Sequence, residues 1–569
     1  TVFRDQEFTA DQRSRPVKRI ADVRGLRAHQ FVEDAGPLAH PVRPEAYREI
    51  NNFYTGTVYE KGAEVVRMLK VLLGAEKFRQ GMDLYFFRHD GQAATVEQFI
   101  KCFADVSDLD MPVFMRWYSQ AGTPEVTVKS LWDADKRSYR LDLAQTVPPT
   151  PGQPVKQPMM IPLALGLVGT DGRDLPLTLE GGKPVARGVL TLTKPAESFV
   201  FTGIGALPLL SLNRGFSAPI KLTADTSTED LYFLAAHDSD PFNRWQAVQT
   251  LATGILLDHV AGGGGGGAGA APTSADGLFH ALAAILADER LEPAFVAQTL
   301  TLPGDSDIAR EIGHDIDPDA IFNARKILRA AIGRRLTAKL SETYGRMTDR
   351  GPYSPDAQSA GRRSLKNACL DLLAAGAEAD WIGRAFRQYE NADNMTDRMA
   401  ALSILSLHDV AQRAAAIDDF YRRYAADPLI LDKWFALQAA MPDPKTLDRV
   451  KTLIAHPAFS FANPNRVRAL IGTFAHGNPT QFNRADGKGY EFVAERILAL
   501  DERNPQVAAR LLAAFKSWRM LEAERRAHAQ ATLRRVAAAG GLSRDVTDIV
   551  ERALAESTEL VGANRHNSL

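Results

Sequence analysis

Cysteine is scarce: the 569 residues contain two, Cys102 and Cys369. Thiols so few and so far apart exclude a disulfide scaffold and a cysteine-rich metal site, and they fit a reducing compartment. Charge of one sign is also lacking, because 68 basic side chains face 69 acidic ones for a net charge of -1. No global field draws the chain to a polyanion, so nucleic acid is not an expected partner. No apolar run approaches the roughly 18 residues that cross a bilayer, so no membrane insertion is expected. The familiar catalytic signatures are missing too. There is no H-E-x-x-H, no Cys-x-x-Cys and no G-x-S-x-G, and no two of the twelve histidines stand four residues apart. His29, His40 and His89 have no ligand partner at workable spacing and read as structural. The glycine run Gly262 to Gly267 is not followed by Lys-Ser or Lys-Thr, so it reads as a flexible loop and not as a phosphate cradle. The chain opens Thr1-Val2-Phe3-Arg4 with no Met and no signal-like segment, and reads as a piece of something longer.

What is present is an ordinary globular composition, 45% hydrophobic and 24% charged, long enough for about three or four domains. Residues 1–124 carry helical periodicity. Val58, Gly62, Val65, Val66, Leu69, Leu72 and Leu73 form one stripe ending at Gly74. Thr95 and Gln98 make a capping box, and a further helix starts near Asp110 with Pro112 in its first turn and stops at Ala121-Gly122. From Glu125 to Leu222 the period becomes two, as in Tyr139, Leu141, Leu143 and in Leu163, Leu165, Leu167, with turns at Asp171-Gly172 and Gly181-Gly182. About seven short strands predict a small β-sandwich over 125–222. Residues 223–569 return to short helices. Asp240-Pro241 and Ser543 mark helix starts, and the whole stretch predicts an irregular α-solenoid.

One stretch carries a specific signal. Asn51-Asn52-Phe53-Tyr54-Thr55-Gly56-Thr57-Val58-Tyr59-Glu60-Lys61-Gly62-Ala63-Glu64-Val65 resembles the segment after the zinc site in bacterial aminopeptidase N, whose hallmark is V-Y-E-K-G-A-E-V. Other blocks resemble the family in the same order, among them Thr1 to Phe8, Ala39 to Pro44, Arg116 to Pro124, Asn391 to Asp397, Asp432 to Phe435 and Asn463 to Arg468. The resemblance spans the chain. It implies a multidomain α+β protein in which 1–124 is the C-terminal remainder of a thermolysin-like catalytic domain, 125–222 the β-sandwich and 223–569 the helical C-terminal domain.

The resemblance implies an activity and a division of labour. The parent is expected to be a zinc metallo-aminopeptidase that removes N-terminal residues from peptides. Its two zinc histidines, its general-base glutamate and its third zinc ligand, also a glutamate, are all expected upstream of Thr1, so Zn2+ has no ligands here and this chain alone is expected to be inactive. Tyr59 corresponds to the tyrosine that hydrogen-bonds the oxyanion, a role a phenol suits because it stays protonated at neutral pH. Tyr54, Arg468, Gln506 and Arg510 correspond to substrate-cleft positions, and Asp5 to an acidic residue that orients a zinc histidine. Glu60 and Glu64 are expected to pair with basic neighbours on their own helix. Trp434 and Trp518 are expected in the core. A monomeric cytoplasmic enzyme is the expected setting; the rival readings are a non-catalytic peptide-binding scaffold and an inactive fragment. With its partner strands and helices upstream, 1–124 is expected to be the first region that limited proteolysis clears.

Overall fold

Capping chemistry places the first helices. Helix α1 runs Val2–Gln12, and α2, Arg15–Gly25, starts at Ser14, whose hydroxyl accepts from the Val17 amide with Pro16 in the first turn. A π turn, Leu26–Gln30, carries the chain into α3, Phe31–Asp34. A second π turn, Thr57–Lys61, opens α4, Gly62–His89. The expected break at Gly74 is real, with φ at +77°, but the chain resumes its helix at once. Thr95 and Gln98 form the expected capping box of α5, Val96–Asp105. The helix expected after Asp110 is two short turns, α6 Met111–Phe114 and α7 Arg116–Ser119, stopping ahead of Gly122 at φ +93°. The computed structural model describes residues 1–36, 39–45, 53–262, 275–349, 351–376 and 379–554; Asn51 and Asn52 of the tyrosine motif and Gly263 to Gly267 of the glycine run lie outside them.

Nine strands follow: β1 Glu125–Asp133, β2 Ser138–Thr146, β3 Ile161–Val168, β4 Thr178–Leu179, β5 Lys183–Pro184, β6 Val189–Leu192, β7 Ala196–Thr202, β8 Leu209–Leu212 and β9 Lys221–Ala224. Six make one sheet in the order β5-β4-β7-β2-β1-β9, and three make another in the order β6-β3-β8. The β1–β2 hairpin pairs Glu125 with Thr146 through Asp133 with Ser138, and β9 joins β1 in parallel. Strand β2 alternates in and out as expected, whereas β3 is buried along nearly its whole length. Its small in-between residues allow this: a Cβ on Gly166 would lie 2.1 Å from the Arg214 guanidinium carbon.

The chain divides into two compact units. The first holds 1–251, 276–300 and 355–361, and the second holds 252–275, 301–354 and 362–569. In the first unit one core joins helices to sheets: Phe3, Val65, Leu69, Phe103, Phe114 and Trp117 pack in the same cluster as Leu141, Leu163, Leu190 and Phe201. Residues 1–124 are therefore not a remnant without partners, because α4 packs directly on β3 and β6. This removes the reason to expect proteases to clear them first. The second unit is helical, with consecutive helices such as Ala379–Asn391, Met395–Ser406, Ala411–Tyr424 and Pro428–Ala439 each packed on the next, in the manner of a solenoid. Trp434 and Trp518 are both buried there, as expected. The fold is thus mixed α+β with a β-sandwich and a large helical array. No helix among the described residues is long and apolar enough to cross a membrane.

Trp117 ties the helices to the sheets: it is fully buried and its indole N–H donates to the Met160 carbonyl at 2.7 Å. Trp117→Ala should cost about 3–5 kcal/mol. Helical and strand signals of the first unit should then melt together at a lower temperature in calorimetry and circular dichroism. Separate melting of the two would contradict a shared core.

Candidate active site

The tyrosine motif is built outward from buried polar contacts. Thr55 accepts from the Val58 amide through its hydroxyl at 3.2 Å, and His40 Nε2 lies 2.8 Å from the same oxygen. Thr57 is wholly buried; its amide donates to Glu33 Oε1 at 2.9 Å, its hydroxyl contacts the same oxygen, and Gln30 Nε2 donates to that hydroxyl at 3.2 Å. At the other end of the turn Lys61 is buried, its Nζ 2.7 Å from Asp34 Oδ2 and 2.9 Å from the Gly122 carbonyl. Thr123 donates its hydroxyl to the same Asp34 oxygen at 2.8 Å. Between these anchors Tyr59 is 43% exposed and Tyr54 60% exposed. Their rings stack with centroids 6.2 Å apart, and Phe53 meets Tyr54 edge-on. The Tyr59 hydroxyl has no hydrogen-bond partner among the described residues. A turn this firmly held that presents a free phenol can offer a hydrogen bond to something outside the protein.

Glu64 departs from expectation. It is buried, and its principal partner is Arg19 on α2, whose two terminal nitrogens reach its two oxygens at 2.7 and 2.5 Å. Arg67, on its own helix, is a secondary contact at 3.5 Å. Arg19 also donates to the Gly215 and Phe216 carbonyls, which fastens α2 to the turn after β8. A planar fork satisfying carboxylate and carbonyls together is what makes such a burial tolerable. The periodicity of α4 could not have shown this, because the partner lies 45 residues away.

Asp5 is exposed on α1, and its side chain has no recorded partner among the described residues. Two other acids of that helix are engaged: Asp11 pairs with Arg15, and Glu7 contacts Arg15, Arg67 and Lys70. Burial alone would raise the pKa of Glu7, but hydrogen bonds from Lys70 and the charge of Arg67 outweigh burial and bring it down to about 2. A cavity of about 770 Å3 beside it is lined by Glu7, Arg67, Arg187 and Arg214 among others, and not by the tyrosines.

In the second unit, Asn463 caps the helix Pro464–Val467, which passes into a π turn at Arg468–Gly472. Arg468 is exposed and donates to the Asn465 side chain at 2.8 Å. Gln506 and Arg510 sit one turn apart on the exposed face of the helix Pro505–Leu512. The Arg510 carbonyl meets His476 Nε2 at 3.1 Å. Burial lowers the pKa of His476 in spite of that bond, so its imidazole favours the neutral form. Nothing in the sequence singles out His476. Of the expected site residues, then, Tyr54 and Tyr59 are brought together, Gln506 and Arg510 share a helix face, and Asp5 stands apart on α1. Among the described residues no group of three or more His, Cys, Asp or Glu side chains is placed to hold a metal ion. The donor set for zinc does not fit onto these residues.

Three family models match the chain in order. The Peptidase family M1 domain matches residues 3–118, an Ig-like domain of unknown function matches 122–225, and an ARM-repeat domain of unknown function matches 228–555. The chain is 44% identical to the aminopeptidase N of Caulobacter vibrioides over 97% of its own length and 62% of that protein's. It is 41% identical to the aminopeptidase N of Escherichia coli over 98% of its length and 63% of that protein's. Among solved structures, the crystal structure of Legionella pneumophila aminopeptidase A in complex with aspartic acid matches with a TM-score of 0.80 at 27% identity, over 97% of this chain and 62% of that one. The chain belongs to the family of the ARM-repeat domain, whose model matches more than half of it, and the order of the three matches is consistent with the C-terminal part of proteins of the bacterial aminopeptidase N type. It spans somewhat less than two thirds of the length of these relatives.

Glu7 gives a pH-dependent test of α1. A carboxylate whose folded pKa is depressed to about 2 adds stability that is complete above its unfolded value near 4.5 and is lost as pH falls toward 2. Glu7→Gln should therefore lower the melting temperature near neutral pH, and the gap to the parent should close across that acidic window. A gap that stays constant through it would show that the ion-pair cluster does not stabilise the fold.

Proposed function

We infer that the chain is the C-terminal portion of a zinc-dependent aminopeptidase, with Tyr59 as the donor that stabilises the oxyanion formed when a peptide's N-terminal amide is attacked. The observation that carries this reading is the half-exposed Tyr59, whose hydroxyl has no hydrogen-bond partner among the described residues, on a turn anchored at both ends, inside the stretch that matches the M1 peptidase domain. Zinc, held by residues of the longer protein, would supply Lewis-acid polarisation and an activated water. On this reading the chain without those upstream residues should bind no stoichiometric zinc and hydrolyse no aminoacyl-arylamide.

What this chain's residues do follows from their chemistry. The Tyr59 phenol donates a hydrogen bond that strengthens as negative charge grows on the former carbonyl oxygen. Tyr54, stacked on Tyr59, adds an exposed aromatic face against which a substrate side chain packs. Arg468, Gln506 and Arg510 offer cationic and amide donors for the carbonyls or the terminal carboxylate of a peptide. Asp5 orients a zinc-binding histidine of the upstream portion. The division into a catalytic remainder over 1–124, a sandwich over 125–222 and a helical domain over 223–569, and a monomeric, cytoplasmic existence, belong to the same proposal.

The test is Tyr59→Phe in a polypeptide extended upstream to include the zinc ligands. The ring and its stacking remain and only the donor goes. The expected loss is on the order of 10²–10³ in kcat with a smaller change in KM. Zinc content and melting temperature should hold. Normal kcat, or zinc lost together with activity, would contradict the assignment.

A further inference from the structure

We propose that Glu33 and Asp34 are positioning residues for the reaction: adjacent carboxylates on one short helix hold the two ends of the π turn that carries Tyr59, and so set where its hydroxyl points. This rests on the reading of Tyr59 as the oxyanion donor. Glu33 Oε1 takes the Thr57 amide at 2.9 Å and the Thr57 hydroxyl, at the start of the turn. Asp34 Oδ2 takes Lys61 Nζ at 2.7 Å, at its end. Thr57 is 0% exposed and Lys61 1%, whereas Tyr59 between them is 43% exposed.

The turn needs outside help to exist. A π turn closes from residue i to i+5, here from the Gly62 amide to the Thr57 carbonyl, and is a rare geometry with one residue more than an α-helical turn would hold. Relaxing it to α slips the register by one residue, which is about 100° of rotation about the helix axis. Such a slip would swing Tyr59 off its present face while leaving the rest of α4 folded. Both anchors come from Glu33-Asp34, and the same segment begins with its own π turn, whose last residue, Gln30, donates to Thr57 at 3.2 Å. The Lys61–Asp34 pair is closed off from solvent and reaches on to Gly122 and Thr123, beyond the end of α7. An ion pair buried in this way adds little net stability compared with apolar residues of the same size, but it does fix geometry.

Two readouts separate this inference from the catalytic reading it rests on. The first needs no activity. The 569-residue chain, labelled with fluorotyrosine, has 13 tyrosine signals, and the Tyr59 line is the one lost in Tyr59→Phe. Glu33→Ala should shift or broaden that line and Glu33→Gln, whose carbonyl still accepts, should restore it. Lys61→Met is the stronger variant; should it fail to fold, Thr57→Val makes the same test at the other end. An unmoved Tyr59 line in folded Glu33→Ala and Thr57→Val would overturn the proposal.

The second readout uses the enzyme extended upstream. Glu33→Ala should lose about 10-fold or more in kcat with KM and zinc content nearly unchanged. In a Tyr59→Phe background the same substitution should cost nothing further, because the group it aims is gone. Equal losses in both backgrounds would overturn the proposal, since Glu33 would then act on something other than Tyr59. If Tyr59→Phe alone left kcat intact, the catalytic reading would fail, and the fluorine signal would still decide whether the carboxylates aim the ring.

Discussion

A lysine and an aspartate taken out of water together cost several kcal/mol each, recovered only where their geometry and remaining hydrogen bonds are close to ideal. Lys61 and Asp34 are taken out of water in this way, each side chain 1% exposed; Asp34 Oδ2 accepts from both Lys61 and Thr123, while its Oδ1 has no hydrogen-bond partner among the described residues. Around them the first unit is organised: Asp34 ends the short helix after the first π turn, Lys61 ends the second π turn, and the Gly122 carbonyl and Thr123 hydroxyl stand where the helical layer passes into β1. The pair therefore joins three stretches that are distant in sequence at one point. Tyr59 lies two residues from that point, on the side that solvent reaches.

The remaining polar burial follows the same logic. Arg19 and Glu64 fasten α2 to α4, and through the Gly215 and Phe216 carbonyls to the end of the sandwich. Arg214 bridges Asp174 and Asp238, tying the sandwich to the segment that leads into the helix Pro241–Ala261. Charged groups shared between layers fix the register of packed elements, while the apolar cluster from Phe3 to Ile220 supplies the bulk of the driving force. The two kinds of contact act at different levels: one makes the unit fold, the other decides which face the tyrosines occupy.

Much of the architecture was legible because its signals are local. The Thr95–Gln98 capping box, the Gly74 break, Asp240 before Pro241 and Ser543 at the last helix all stand where the residues suggested, since caps and breaks depend on a few neighbouring side chains. The change of period at Glu125 was likewise visible. What escaped depends on partners far along the chain. Nothing in a helical stripe distinguishes a π turn from an α turn, so the widened turns at Leu26–Gln30, Thr57–Lys61 and Arg468–Gly472 were invisible. Glu64 was expected to pair along its own helix, but its principal partner, Arg19, comes from α2, and the burial of both faces of β3 showed only once α4 lay across it. Tyr59 itself stood out by resemblance to a motif and not by any periodicity, and the structure adds the reason its turn is rigid.

The central claim is that this rigid turn aims the Tyr59 hydroxyl at a developing oxyanion. The most direct measurement is a crystal structure of the enzyme, extended upstream to include its zinc ligands, with a phosphonate analogue of the tetrahedral intermediate bound. The account predicts the Tyr59 hydroxyl about 2.7–3.1 Å from a phosphonate oxygen, with the π turn and its Glu33 and Asp34 contacts intact. A Tyr59 hydroxyl turned away from the analogue, or a different donor on that oxygen, would contradict it.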